Sequence, residues 1–415
     1  MLKNYIKTAY KVFLRRKFFT FISLFAISFT LIVLMVATSL FDHVFGAMPP
    51  EKNLDRMLGV YRMSMSGGEG ERRSTRSGLV GYGLLDRYCR DLPFVEKTSF
   101  FTAPNSIPAY HNGEKLKLFF KRTDGAFWQI MDFNFIEGAP FTEEDDKNRN
   151  FVAVINEATR KKFFGEASAV GKSIAVDGQN FRVVGVVGNV PVLRVLSFSD
   201  VWAPVSTAKS DGYKKEFVEN FMGVFLARSK DDFPAIKEEF SARLTQVELP
   251  DKQFNRLEGQ AETVLEGIGS LFISEGTGGG PSQFILAALI AALLFMLLPT
   301  INLININVSR IMERASEVGV RKAFGASSLT LVWQFVIENV LLSLVGGAIG
   351  FIGSYLVLQM IARSGFIPYA DFHFNYRIFL YGFCMAVFFG LLSGVYPAWK
   401  MSRLHPVQAL QGGTR

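Results

Sequence analysis

Apolar residues along this chain gather into four long runs, which cover residues 18–41, 283–308, 328–362 and 378–398. A helix needs about 20 apolar residues to cross the ~30 Å hydrocarbon core of a bilayer at roughly 1.5 Å per residue. Every run reaches that length, and Glu338 is the only Asp, Glu, Lys or Arg in them. The pattern therefore predicts an α-helical membrane protein with four transmembrane helices.

A short helical pattern over residues 1–17 precedes the first run. Its apolar residues fall on one stripe, and its basic residues recur every four positions on another: Lys3, Lys7, Lys11 and Arg15. This predicts an amphipathic helix at the membrane surface, and a solvated helix is the alternative. Residues 18–41 predict a retained anchor, because the apolar core of a cleavable signal peptide spans only about 7–15 residues.

Residues 42–282 form one large polar block, which is too long for a loop and predicts a folded α+β domain. Near its start, Leu58–Met65 predicts a strand and Tyr82–Asp91 a helix. Near its end, Phe221–Arg228 predicts a second strand and Asp231–Gln246 a second helix. Two strand–helix units so far apart in sequence predict one α/β subdomain built from both flanks.

The middle of this block predicts a β-rich insert. The apolar strands Ile174–Val176 and Phe181–Val187 are separated by Asp177-Gly178-Gln179-Asn180, which predicts a hairpin. Closer to the start of the block, the glycines, serines and arginines of Ser64–Gly81 predict a mobile loop.

Composition adds an orientation to this picture. The chain has 415 residues, 49% of them hydrophobic, and a formal net charge of +8. The basic residues concentrate beside the apolar runs, so orientation in a membrane explains them better than nucleic-acid binding. Basic clusters place residues 1–17, 309–327 and the tail 399–415 in the cytoplasm. The block 42–282 and the short loop 363–377 then lie outside it.

No arrangement of side chains predicts catalysis or a metal centre. The four histidines have no partners at metal-ligand spacing, and the two cysteines stand far apart. The sequence of Gly165–Ser173 resembles a phosphate loop. However, five residues separate its first glycine from Gly-Lys-Ser, whereas a phosphate loop has four, and the segment leads into a strand instead of a helix. We therefore expect a non-catalytic chain with no cofactor of its own.

The charged segment 309–327 separates the second and third runs. Glu317 and Arg321 stand four residues apart with the acid first, which is the favourable order for a helical pair. Gly325 fits a helix C-cap just beyond Arg321 and Lys322, whose charges suit the negative end of the helix dipole. The pattern predicts a short, capped helix presented to the cytoplasm.

Few polar residues lie inside the apolar runs. Asn302 and Asn305 predict hydrogen bonds to a neighbouring helix at the cytoplasmic end of the second run. Glu338 is a candidate for function because of its position, but a structural role is favoured, in which it reaches the membrane interface or pairs with a neighbouring helix. The third run also has a small-residue face for close helix packing: Gly346, Gly347, Gly350 and Gly353.

Four stretches of the chain resemble one family. Residues 313–326, E-R-A-S-E-V-G-V-R-K-A-F-G-A, resemble the signature of the FtsX-like permease domain of MacB-type ABC transporters. Gly390–Leu410 is similar to the closing motif of that domain. Val152–Glu157 and Phe163–Val187 look like parts of the MacB periplasmic core, and the near phosphate loop falls inside the second of them.

The resemblance implies a permease subunit of the bacterial inner membrane whose ATPase is a separate cytoplasmic polypeptide. In such permeases the segment between the second and third spans docks on the ATPase, which binds ATP and Mg. The positions implied here are Glu313, Glu317, Gly319, Arg321, Lys322, Gly325 and Ala326. ATP-driven closure would move the helices and do work in the periplasm.

The resemblance also implies a second permease, identical or related, and a periplasmic partner or substrate such as a lipoprotein, peptide or drug. Regulation of a cell-wall hydrolase is another role open within this family. The alternative from a different class is a membrane-anchored sensor or signalling scaffold that binds an extracytoplasmic ligand. The two classes differ in their cytoplasmic partner, which would be an ATPase or a protein such as a kinase.

Overall fold

The computed structural model describes residues 2–68, 74–111, 114–249, 251, 253–267, 327–365 and 367–369, with single positions between 286 and 391. The chain divides into two units. The helical unit comprises Met1–His43, Leu286–Phe366 and Asp371–Arg415. The large domain comprises Val44–Ile285 and Ile367–Ala370.

The described helices and strands have the following bounds. The helices are α1 (Leu2–Arg15), α2 (Lys17–Phe45), α3 (Tyr82–Tyr88), α4 (Phe127–Ile130), α5 (Glu143–Lys147), α6 (Glu157–Phe164), α7 (Phe233–Thr245) and α8 (Ser328–Arg363). The strands are β1 (Met57–Val60), β2 (Met63–Gly67), β3 (Ser74–Val80), β4 (Val95–Thr102), β5 (Asn105–His111), β6 (Glu114–Thr123), β7 (Phe135–Gly138), β8 (Val152–Asn156), β9 (Ser173–Val176), β10 (Gln179–Val187), β11 (Val201–Pro204), β12 (Val218–Glu219), β13 (Phe221–Ala227) and β14 (Arg256–Gly259).

Within the described part of the chain, two helices are long and apolar enough to cross a membrane, α2 and α8. α2 has 29 residues and α8 has 36. α8 begins after Ser327, whose hydroxyl accepts a hydrogen bond from the Thr330 N–H at 3.2 Å and so caps the helix. The spans predicted over residues 283–308 and 378–398 lie outside the described residues, apart from single helical positions.

Glycines of α8 allow α2 to approach closely. A Cβ atom added at Gly346 would lie 2.7 Å from Ile27 Cγ2, and one at Gly350 would lie 2.9 Å from Leu31 Cβ. Both distances are shorter than side-chain carbons normally tolerate, so only glycine leaves room at these positions. The small-residue face of the third run therefore packs against the first predicted span, as small residues do between membrane helices.

The two flanks of the large domain form one α/β lobe. The late strand β13 pairs antiparallel with both of the early strands β1 and β4. Leu84 of α3 and Phe240 of α7 join Leu58, Phe100 and Phe225 in a single buried core. The prediction of one subdomain built from both flanks is confirmed.

The insert between the flanks is a closed barrel. Six strands pair in the order β11-β8-β10-β9-β5-β6, and β6 pairs back to β11 in parallel, so the ring has no free edge. Buried apolar side chains such as Ile174, Phe181 and Val201 fill it. The predicted hairpin is present with a shorter turn, Asp177-Gly178, in which both residues have positive φ (55° and 70°), as a type I′ turn requires.

Two segments differ from the sequence prediction. Leu58–Met65 is not one strand, because the chain changes its partner from β13 to β3 at Tyr61-Arg62. The described residues of Ser64–Gly81 are mostly strand rather than mobile loop, since β2 and β3 pair antiparallel with the hydroxyls of Ser64 and Ser77 2.7 Å apart. Only Val80 of β3 is buried, so the strand lacks the apolar alternation that would have predicted it.

We expect Gly350→Leu to weaken the packing of α8 on α2. The new side chain would meet Leu31 Cβ and the Ser28 carbonyl, which lies 3.1 Å from the Cβ position. Overpacking of this kind costs about 1–3 kcal/mol. The thermal midpoint of the purified full-length chain should fall. Ala348→Leu, on the exposed side of the same helix, is the control and should leave the midpoint unchanged; equal midpoints for both variants would contradict the packing.

Candidate functional site

The predicted ATPase-coupling positions are described only at Gly325. Its φ is +89°, and the preceding Phe324 N–H donates to the Val320 carbonyl at 3.1 Å, so a helical turn ends here in the left-handed region that glycine favours. Phe324 is 88% exposed. The other predicted positions lie outside the described residues: Asn302, Asn305, Glu313, Glu317, Gly319, Arg321, Lys322 and Ala326.

Glu338 lies on a buried, polar side of α8. Its residue is 2% exposed, and Gln334, Asn339 and Ser343 are buried beside it on the same helix. The exposed side of α8 is apolar instead, with Leu344, Ile349 and Ile352 among its members. A charged residue in a membrane helix is expected to face the protein interior rather than lipid, and the position of Glu338 follows that rule.

The large domain holds a buried ionic contact on the loop Pro191–Asp200, which we call the junction loop. Arg194 and Glu51 are each 2% exposed at their side chains, with Nη1 3.2 Å from Oε2. Arg194 Nη2 also donates to the Gly46 carbonyl at 3.1 Å. The second carboxylate oxygen of Glu51 accepts from Ser197 N–H (3.1 Å) and Oγ–H (2.7 Å). Both charges are therefore paired and hydrogen-bonded, as burial requires.

Lys121 of β6 reaches the junction loop from the barrel. Its ammonium is buried and donates to the carbonyls of Val195 (3.0 Å) and Leu196 (2.5 Å). It also lies 5.0 Å from the centre of the Phe101 ring, within range of a cation–π contact. Burial lowers the pKa of Lys121 to about 7, and the nearby Glu51 carboxylate opposes that shift.

The C-terminal end of the junction loop binds a distant part of the chain. Asp200 Oδ1 accepts hydrogen bonds from Asn156 Nδ2 (2.9 Å) and from the Tyr369 hydroxyl (2.8 Å). Burial and the Asp200 carboxylate raise the pKa of Tyr369, so its hydroxyl stays protonated and donates. At the other end of the loop, Val192 N–H donates to the Pro368 carbonyl at 3.2 Å.

These contacts hold two segments that continue directly into long apolar helices. Gly46 follows Phe45, the last residue of α2. Ile367 is separated from Arg363, the last residue of α8, by three residues. The junction loop therefore binds both segments, the first at Arg194 and the second at Val192 and Asp200. The loop is itself bound by Lys121 of the barrel.

The residues of this junction were missed in the sequence. Glu51, Lys121 and the junction loop with Arg194 and Asp200 are three distant stretches of the chain, and their residues match no spaced motif. The only available signal was a lone charge within an apolar stretch, as in P-V-L-R-V-L around Arg194. Such a charge is buried only when a partner is supplied by tertiary structure, which local pattern does not reveal.

The near phosphate loop has a plain structural role. α6 ends at Phe164 and is capped by Gly165, whose φ is +63°, and the chain enters β9 at Ser173. Lys172 Nζ stands over the Phe164 ring at 5.3 Å. No helix N-terminus opens from this turn towards a phosphate. In the described ranges, no group of three or more His, Cys, Asp or Glu side chains is placed to hold a metal ion.

Long apolar helices flanking a large α+β domain define the class: a membrane-anchored protein with an extramembrane domain inserted after its first helix. Residues 20–243 match the MacB-like periplasmic core domain, and residues 289–406 match the FtsX-like permease C-terminal domain. The chain belongs to the MacB/FtsX-type ABC transporter permeases. The resemblance carried by Glu313–Ala326 and Gly390–Leu410 is thereby confirmed at the level of the family.

Two curated relatives illustrate the range of similarity. The macrolide export ATP-binding/permease protein MacB of Wolinella succinogenes is 30% identical over 290 residues, which cover 69% of this chain and 42% of that protein. An uncharacterized ABC transporter permease of Bacillus subtilis, YknZ, is 23% identical over 312 residues, which cover 74% of this chain and 73% of that protein. The chain thus spans about two-fifths of the length of the MacB relatives that it matches.

Solved domains from related proteins also match. The periplasmic region of MacB from Actinobacillus actinomycetemcomitans has 17% identity and a TM-score of 0.34, covering 48% of this chain and 88% of that one. A domain of a permease protein from Porphyromonas gingivalis has 13% identity and a TM-score of 0.40, covering 51% of this chain and 90% of that one.

The pKa of Lys121 predicts a pH dependence of stability. With a pKa of about 7 in the folded state and about 10.4 unfolded, the unfolded chain binds more protons between these values. Stability should therefore rise with pH from about 7 to 10, by on the order of 1 kcal/mol per unit. The neutral amine still has two N–H groups for its two carbonyl partners.

Lys121→Met should remove this slope. Thermal midpoints of the full-length chain, followed by tryptophan fluorescence from pH 6 to pH 10, measure it. Lys117→Met, an exposed position on the same strand, should keep the slope of the unmodified protein. Parallel pH profiles for Lys121→Met and the unmodified chain would show that Lys121 is not a buried amine of lowered pKa.

Proposed function

We propose that this chain is the transmembrane subunit of an ABC transporter that converts ATP hydrolysis by a separate cytoplasmic ATPase into movement of its periplasmic domain. The observation that carries the proposal is the buried junction at Glu51 and Arg194, where one loop binds the segments that follow α2 and α8. Membership in the MacB/FtsX-type family supports it.

The ATPase contact is proposed to lie on residues 309–327. The segment offers adjacent positive charges, Arg321 and Lys322, and the left-handed turn at Gly325 sets the path of the chain into α8. Glu313, Glu317, Gly319 and Ala326 complete the contact. ATP and Mg belong to the ATPase, so this chain needs no cofactor. Glu338 is buried in α8, so any movement of that helix would change the surroundings of its side chain.

The proposed topology has four spans in the inner membrane, with both termini in the cytoplasm and the large domain in the periplasm. The basic clusters that flank the apolar runs support this orientation. A second permease, identical or related, completes the assembly. The substrate is proposed to be a molecule taken from the periplasmic side, such as a lipoprotein, a peptide or a drug, by export or extraction.

Transmission through the junction follows from its bonding. A charge pair buried beside Ser197 cannot exchange its partners for water without a large cost. The segments ending α2 and following α8 are therefore expected to move with the junction loop, not independently of it. Movement of the junction loop would reach β6 through Lys121. β6 is a strand of the barrel and also pairs with β4 of the α/β lobe.

The ATPase contact is tested by charge reversal. Arg321→Glu with Lys322→Glu should reduce co-purification of the ATPase at least tenfold, because two attractions become repulsions at the interface. Membrane insertion of the chain should be unchanged. Pull-down of the tagged permease from solubilised membranes measures both quantities.

A matched control makes the same change of charge elsewhere in the cytoplasm. Lys400→Glu with Arg403→Glu, in the tail, should leave the association intact. If the ATPase still co-purifies with the double variant of Arg321 and Lys322 but not with the tail variant, the proposed position of the contact is wrong. If neither variant matters and a kinase co-purifies instead, the chain is a signalling scaffold.

The junction is tested by removing its charges. Arg194→Met leaves the Glu51 carboxylate buried without its cation, which should cost about 3–5 kcal/mol and abolish the response of the large domain to nucleotide. Hydrogen exchange of β6 amides, with the ATPase present and with or without a non-hydrolysable ATP analogue, measures the response. Arg149→Met, at an exposed ion pair of the same domain, should respond normally.

Loss of fold and loss of transmission are then separated by a double variant. Glu51→Gln with Arg194→Met removes both buried charges and should regain most of the stability lost in the single variant. We expect it to remain folded yet respond weakly to nucleotide. A folded double variant with the full response would exclude the ion pair from transmission.

A further inference from the structure

Helix α1 has one broad apolar face, of which only one edge is buried. Ala9 is 3% exposed, and Phe13 packs against the cluster of Ile27, Leu31 and Leu342 in the helical unit. The opposite edge of this face is exposed and consists of residues four apart, Ile6 (43%), Tyr10 (62%) and Leu14 (52%). Residues at this spacing lie on one stripe of a helix, so packing within the chain covers only part of the apolar face.

A basic stripe runs beside the exposed apolar one. Lys7, Lys11 and Arg15 each follow a member of that stripe by one residue, and all three are exposed. The first 41 residues contain no Asp or Glu, so neither α1 nor the following 24-residue apolar run provides a counter-charge. The surface therefore joins an apolar stripe to a row of cations.

The exposed apolar stripe continues into α2. The aromatic residues that extend it are Phe18, Phe21, Phe25 and Phe29, which are 53–71% exposed. Phe21, Phe25 and Phe29 stack along the helix with ring centroids 6.2 and 5.8 Å apart. Since α2 is a candidate membrane span, its exposed aromatic rings are suited to contact with hydrocarbon. The exposed stripe of α1 therefore comes directly before a surface suited to lipid.

We propose that this side of α1 binds anionic phospholipids of the membrane leaflet next to it. Ile6, Tyr10 and Leu14 enter the acyl region, while the basic stripe contacts lipid phosphates. Long basic side chains suit this position, because their stems lie along apolar surface and their charges remain at the headgroups. Each cation near an anionic surface favours attachment roughly fivefold. This binding does not depend on an ATPase.

The test uses the full-length chain in single-copy lipid nanodiscs without ATPase. A polarity-sensitive fluorophore is attached to Tyr10→Cys in a Cys384→Ser background, since Cys384 is exposed and Cys89 is buried. In discs of phosphatidylcholine with one-third phosphatidylglycerol at 0.1 M salt, the label should report hydrocarbon. It should report water in pure phosphatidylcholine, or at 1 M salt, where the Debye length falls from about 10 Å to about 3 Å.

Charge variants complete the experiment. Lys7→Gln with Lys11→Gln and Arg15→Gln should lower the ratio of bound to detached helix on the order of 100-fold in the anionic discs. Lys147→Gln with Lys162→Gln and Lys230→Gln, exposed positions of the large domain, removes the same charge and should have no effect. If the emission of the label is the same with and without phosphatidylglycerol and at both salt concentrations, the proposal is overturned. If the label reports an apolar environment only in discs that hold two copies of the chain, the stripe binds a second permease instead.

Discussion

The buried pair of Glu51 and Arg194 constrains how the large domain can be held. Neither charge can be left alone in a dry interior without a cost that approaches the whole stability of a domain. The pair is satisfied only when two separate stretches of chain meet, because Gly46 accepts a further bond from Arg194 and Ser197 donates to Glu51. Its geometry therefore holds Gly46 and Glu51 against the junction loop within the large domain.

The barrel gives this contact a stiff support. Its six strands close on themselves, so no edge can slip against a neighbour. Lys121 extends from β6 of the barrel and donates hydrogen bonds to two carbonyls of the junction loop. The α/β lobe joins the same sheet through β4 and β13, whose core is filled from both flanks of the sequence. The junction loop is therefore bonded, through Lys121 of β6, to one connected sheet.

Sequence pattern predicted the features that depend on local periodicity. The lengths of α2 and α8, the glycine face of α8 and the hairpin of β9 and β10 follow from spacing and turn chemistry. Closure of the barrel did not follow, because the pairing of β6 with β11 joins residues about 80 positions apart. The junction was hidden for the same reason: Arg194 and Glu51 acquire meaning only when the fold brings them together. The predicted coupling helix stays a prediction outside Gly325.

The contact of Asp200 with Tyr369 has a consequence for the order of assembly. The ribosome releases the barrel and both flanks of the large domain long before it reaches Tyr369, which follows the third predicted span. The Asp200 carboxylate therefore lacks the Tyr369 hydroxyl until α8 has been synthesised. Completion of this part of the large domain depends on a residue that is made after α8.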